Sequence, residues 1–203
     1  MTKWSADAWS ARQFDGGRWL LQCEEGPSPE LSQLIGAWAG KLRLEDDVLD
    51  AVPGFRELAV TTSKEKVNWM DWLALGGDIR EEEVVIHTIE VSYNGEDLGL
   101  LAESKCMTRQ EVMERHQSPT YTVGMLGFCP HFPYLLGLDP LLATPRLETP
   151  RLGVPAGSVA IGGEQTGIYP QVSPGGWLLI GSCDPKVCQS ILPGHQVVFR
   201  AEG

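Results

Sequence analysis

The stretch from Gly127 to Gly181 constrains the fold more than any other part of this sequence. It reads GFCPHFPYLLGLDPLLATPRLETPRLGVPAGSVAIGGEQTGIYPQVSPGGWLLIG. Ten of the 14 prolines and eleven of the 23 glycines fall between Gly127 and Gly194. Proline fixes φ and removes a backbone donor, and glycine weakens any regular element it interrupts, so long helices are excluded here. Disorder is excluded too. Phe, Tyr, Trp and branched apolar residues stand between the punctuation, and disordered segments lack them. What remains is a series of short strands joined by tight, shaped turns. A small barrel builds a binding surface from its loops in this way.

The whole chain, 203 residues and 22.2 kDa, suits one large or two small domains, and its 42% hydrophobic content is enough for a real core. A formal net charge of -11 repels phosphate backbones, so nucleic acid is not an expected partner. No apolar run is long enough to cross a bilayer, and no membrane association is expected. Met1–Ser10 has no basic start followed by an apolar stretch, so no signal peptide is read there. Cys23, Cys106, Cys129, Cys183 and Cys188 are odd in number, scattered, and contain no CxxC pair. They read as reduced thiols of a cytoplasmic protein, with no metal site.

Composition changes near Glu81–Glu83, a charge run that reads as a solvated linker. Before it, the residues suggest a small α+β layer. Arg18–Cys23 is an expected strand. Ser28 followed by Pro29 opens a helix whose apolar face is Leu31, Leu34, Ile35, Trp38 and Leu42. Val48–Val52 and Leu58–Thr62 read as strands around Pro53-Gly54. Lys64–Leu75 reads as a second helix ended by Gly76-Gly77, and Val84–Val91 as a further strand. Beyond this, Asp97–Ala102 is an expected helical turn, and Thr108-x-x-Glu111 is a capping box opening a helix through His116. The strands expected after it are Tyr121–Phe128, Ser158–Ile161, Trp177–Ile180 and Gln196–Ala201.

Three constellations carry chemistry. Gly127-Phe128-Cys129-Pro130-His131-Phe132-Pro133-Tyr134 is a loop stiffened by two prolines around an aromatic pair, in which His131 could serve as a general base or anchor an anion, or merely face water. Pro145-Arg146 and Pro150-Arg151 each fix the backbone before a guanidinium. The pair suits a carboxylate, carbamate or phosphate, or else salt bridges to neighbours such as Glu148. Gly162–Pro170 follows a strand but lacks the Gly-Lys-Ser/Thr ending of a nucleotide loop. Its Gln165, Thr166 and Tyr169 can bond a small polar ligand instead, and the Ser173-Pro174-Gly175-Gly176 turn lies beside it. The alternative is a pair of barrel corners, with Trp177 in the core. No G-x-S-x-G supports a serine hydrolase, and His87, His116 and His195 show no metal-ligand spacing.

These segments resemble one known family. GFCPHFPYLLGLDPLL, PRLETPRLGVPAGSVAIGGEQTGIYPQVSPGGWLLIG and ILPGHQVVF are similar to the motifs of the B subunit of bacterial 5-oxoprolinase. That family also includes allophanate hydrolase subunit 1 and the kinase inhibitor KipI. The match covers about the last 120 residues. It implies an α+β fold: a small N-terminal α+β (ferredoxin-like) domain over residues 1–82, then a cyclophilin-like β-barrel over residues 83–203. It implies the C subunit (KipA-like) and the A subunit of 5-oxoprolinase as partners, with ATP acting at the level of the complex to drive hydrolysis of 5-oxo-L-proline to L-glutamate. It places Pro130, His131, Arg146, Arg151, Gln165, Thr166, Tyr169 and Pro174 near a ligand groove, with His131 as the catalytic candidate. Two other roles on the same fold stay open: inhibition of a sensor histidine kinase, and a role in the urea pathway as allophanate hydrolase or urea carboxylase subunit 1. The chain departs from the family pattern at His131, where Gly is usual, at Ser182-Cys183, where Arg-Thr is usual, and at His195, where Asp is usual.

Overall fold

A computed structural model describes residues 6–77 and 84–203, which divide into two compact units at Val84/Val85. The acidic run Glu81–Glu83 and the expected boundary at residues 82/83 lie outside the described residues.

In the first unit, β1 (Trp9–Phe14), β2 (Arg18–Cys23), β3 (Val48–Pro53) and β4 (Glu57–Thr62) form an antiparallel sheet in the order β1-β2-β4-β3. Helix α1 (Pro29–Leu42) starts where the Ser28 side chain accepts the Leu31 N–H at 3.1 Å and Pro29 fills the first turn. Its Leu31, Ile35, Trp38 and Leu42 are buried with Leu21, Leu58 and Val60 of the sheet. The indole of Trp38 donates to the Trp72 carbonyl of α2 (Trp69–Gly77) at 2.8 Å. Helix α2 begins five residues later than its apolar spacing suggests. Asn68 sets the start: its side chain bonds Asp71 and accepts the Met70 N–H. The ferredoxin-like label is not confirmed. A βαββαβ unit supplies a strand after its second helix. Here the extra strand, β1, comes before the first helix, and no strand after α2 joins this sheet among the described residues.

The second unit is the expected cyclophilin-like barrel. Its strands are β5 (Ile86–Val91), β6 (Tyr121–Leu126), β7 (Pro133–Leu136), β9 (Ser158–Gly162), β10 (Gln165–Ile168), β12 (Leu178–Ser182) and β13 (Gln196–Ala201), in the order β12-β9-β10-β7-β6-β13-β5. All neighbours are antiparallel except β13 and β5. Past the end of β5, Ser92 and Ser182 exchange backbone bonds of 2.9 and 2.8 Å, which joins the two edges of the sheet. A two-stranded ribbon, β8 (Arg151–Val154) with β11 (Ser173–Gly175), is inserted in sequence between the strands of this sheet. Helices α3 (Leu98–Ser104) and α4 (Arg109–Gln117) follow β5, and α4 opens on the expected capping box of Thr108 and Glu111.

The period of two along the barrel strands sorts their side chains into two clusters. Val159, Ile161, Ile168, Leu178, Ile180 and Leu135 belong to the main core with Tyr121, Val197 and Phe199. The intervening Ala160, Tyr169 and Leu179 belong to a second cluster with Phe132, Val154 and Trp177, against which Cys129 and Tyr134 pack.

Candidate functional site

The second cluster is an aromatic shelf. The Phe132 ring sits edge-on to Phe128, Tyr134, Tyr169 and Trp177, with centroids 5.0 to 5.5 Å apart. Tyr134 meets Trp177 at 5.6 Å, and Phe128 meets Tyr169 at 6.3 Å. Such edge-to-face pairs fix ring orientation as well as burying area. Two glycines make the packing possible. A Cβ on Gly162 would stand 2.6 Å from the Trp177 ring, and one on Gly175 would collide with the Tyr169 hydroxyl.

Trp177 is therefore buried, as its barrel-corner reading expected, yet it also carries a charge. The Arg146 guanidinium lies over its indole, 5.7 Å from the centroid. The backbone on both sides of Arg146 is pinned. Thr144 exchanges two bonds with Gly163, at 3.0 and 2.7 Å, and Leu147 donates to the Gly176 carbonyl at 2.7 Å. Burial raises the pKa of Tyr134 and of Tyr169, and the charge of Arg146 opposes that shift in both. Both phenols are therefore protonated at neutral pH.

Arg151 follows the same Pro-Arg pattern and has a different fate. Its Nη2 donates to both carboxylate oxygens of Asp97 at 2.8 Å, its Nε meets Glu96 at 2.6 Å, and its Nη1 reaches the Trp177 carbonyl at 3.4 Å. Asp97 is buried and also accepts the Leu179 N–H at 2.7 Å, so it ties α3, β8 and β12 together. It precedes α3 but makes no cap bond, because its carboxylate is used in this clamp.

The hairpin between β6 and β7 carries Pro130 and His131. Three backbone bonds pin it: Gly127 N–H to Phe132 O, Cys129 N–H to Gly127 O, and Phe132 N–H to Cys129 O. Leu126–His131 line an open depression of about 370 Å³. His131 is exposed and has φ +65°, a backbone state that strains any residue with a Cβ. Gly, which the resemblance expects at this position, would adopt that state without strain. Burial raises the pKa of the Cys129 thiol, which keeps it from acting as a ready thiolate.

Of the remaining expected site residues, Tyr169 is in the shelf, and Pro174 precedes the Gly175 that abuts its hydroxyl. Gln165 is half-buried at the start of β10. Thr166 faces the other way. It is fully buried, pairs with Ile161 and Leu135, and shares their side of the strand. Its hydroxyl donates to the Ala160 carbonyl at 2.9 Å and lies 2.9 Å from His116 Nε2, while His116 Nδ1 lies 2.8 Å from the Tyr93 hydroxyl. Thr166 is thus part of a buried network, where no ligand on the shelf reaches it. Phe128, Phe132 and Tyr134 join the shelf; they lie in the expected functional loop but had been given no role of their own there. Their signal was present as three aromatics alternating with prolines in one hairpin.

Gly162–Gln165 is the hairpin turn between β9 and β10, so it does not lead into a helix and does not form a strand-to-helix phosphate cradle. No group of three or more His, Cys, Asp or Glu is placed to hold a metal among the described residues. No helix among them is long and apolar enough to cross a membrane.

A barrel of this topology, with its Pro/Gly corners folded over an aromatic shelf, defines a class. The chain belongs to the family described as carboxyltransferase domain, subdomain C and D, whose model matches residues 9–190. Within it, the chain is similar over nearly its full length to proteins named as the B subunit of 5-oxoprolinase. The one from Haemophilus influenzae is 41% identical over 89% of this chain and 93% of its own. The one from Escherichia coli O157:H7 is 37% identical over 93% of this chain and 95% of its own. Among solved structures, TTHA0988 superposes with a TM-score of 0.79 at 34% identity, covering 96% of this chain. This chain spans only 40% of the length of TTHA0988.

Proposed function

We propose that this chain is the B subunit of a 5-oxoprolinase. It would act in the cytoplasm with the A and C subunits to hydrolyse 5-oxo-L-proline to L-glutamate at the expense of ATP. The observation that carries this reading is the near-full-length identity to two proteins of that name. The chemistry is consistent with it. A lactam amide resists hydrolysis, so its carbonyl needs activation by ATP before water attacks. The Gly-rich segment of this chain is a hairpin turn, which supports a role in supplying a substrate surface while the nucleotide is held elsewhere in the complex. On that surface His131 is the proposed proton carrier. It stands exposed at the tip of a hairpin whose Phe128 and Phe132 belong to the shelf.

Reconstitution tests the reading. The purified chain alone should be inactive, and ATP-dependent release of glutamate from 5-oxo-L-proline should appear when the A and C subunits are added. A complete mixture that turns over equally well without this chain overturns it. Replacing His131 by Gln should slow that turnover, and an unchanged rate strips His131 of its role.

A further inference from the structure

We propose that Arg146, displayed over Trp177 beside the Tyr134 and Tyr169 rings, is a recognition site for the carboxylate of a small organic acid. Its sequence twin Arg151 has no part in that site. The inference deepens the reading above and rests on it only for the name of the ligand.

The first support is what Arg146 lacks. In a chain with 27 Asp and Glu against 16 Lys and Arg, a guanidinium finds an acidic partner easily. Arg151 finds two. Arg146 makes no ion pair or hydrogen bond among the described residues, and its partner is the face of an indole. A guanidinium whose partner is an aromatic face, with no hydrogen bond made among the described residues, keeps its N–H donors for a bidentate carboxylate. The second support is rigidity. Bonds from Thr144 and Leu147 hold the backbone on either side of Arg146, so little freedom is left to lose when a ligand arrives. The third is the setting. The exposed Phe128 edge, beside Phe132 and Tyr169, offers an apolar wall. The overall negative charge disfavours polyanions and leaves a single carboxylate as the fitting charge.

Calorimetric titration of the purified chain at low ionic strength tests this, with 5-oxo-L-proline, N-acetylglycine, 2-pyrrolidinone and inorganic phosphate as probes. The two carboxylates should bind, and 2-pyrrolidinone, which has the ring without the carboxylate, should not. Arg146→Gln should weaken carboxylate binding about tenfold or more, with Arg146→Lys intermediate because it cannot grip with two parallel bonds. The inference falls if neither carboxylate binds at millimolar concentration. It also falls if R146Q binds like the parent, or if phosphate outcompetes both carboxylates. Arg146-dependent binding of N-acetylglycine with none of 5-oxo-L-proline keeps the site and removes the oxoprolinase reading. Binding of 5-oxo-L-proline followed by failure of the reconstituted mixture does the same.

Discussion

Inside the barrel, His116, Tyr93 and Thr166 satisfy one another's polar atoms. Outside it, over the alternate residues of the same strands, Arg146 stands on its indole with no anionic partner among the described residues. The strands β9, β10 and β12 are common to both faces. One face is closed chemistry, in which donors and acceptors are matched and water has no task. The other is a finished aromatic floor with an unfinished charge on top. The contrast teaches that burial and readiness for a ligand are separated by a single residue step along a strand. Thr166 and Gly167 are neighbours, yet one meets His116 and the other abuts Phe132.

The contrast breaks most easily at the floor. Trp177→Ala should cost about 3–5 kcal/mol, because the indole is buried among Phe132, Tyr134 and Gly162. Urea unfolding measures this, and parental stability would mean the shelf is not a packed core. Arg151→Ala comes next, at about 3 kcal/mol. That is the low end for a broken buried pair, because Arg151 keeps 23% side-chain exposure while Asp97 is left without its main partner. Arg146→Gln, in the same assay, should stay within about 0.5 kcal/mol of the parent. Equal losses for the two arginines would erase the distinction between them.

The inner face is tested by acid. Burial lowers the His116 pKa from 6.5 to about 3, so the imidazole stays neutral in the folded protein while the unfolded chain takes up a proton below pH 6.5. Stability from this group is complete above pH 6.5 and is lost as pH falls. About 2 kcal/mol should go between pH 7.5 and 5, at 1.4 kcal/mol per unit once the unfolded imidazole is charged. Unfolding of the parent and of His116→Gln across that range checks it, and parallel pH curves for the two would sink the account. One expected effect is a gain. His131→Gly relieves a residue held at φ +65° and should raise stability by about 0.5 kcal/mol, after the entropy that glycine adds to the unfolded chain.

Much of this architecture was legible in the residues, and the parts that were not share a cause. Ser28-Pro29 and Thr108-Glu111 announced their helices because capping is a local signal. Strands with one clear buried face, such as Arg18–Cys23 and Glu57–Thr62, announced themselves by alternation. Strand β1 did not, because only Trp9 of its six residues is buried. Strands β7, β8, β10 and β11 are three or four residues long and broken by Pro or Gly, so they offer no period to count. β10 is also buried on both sides, which hid the inward turn of Thr166. The two Pro-Arg pairs were visible as candidates for an anion. Their difference was not, because it depends on Asp97, 54 residues before Arg151.

The parallel pairing of β5 with β13 sets an order of assembly. Ile86–Val91 is synthesised first of all the barrel strands, yet its neighbour in the sheet is Gln196–Ala201, the last of them. A ribosome must therefore release nearly the whole unit before its first strand can be clasped. Until then β5 is an open edge, suited to mispairing or to capture by a chaperone. Folding of this half of the molecule waits on its last strand by geometry, and its slow step is closure over the greatest separation along the unit.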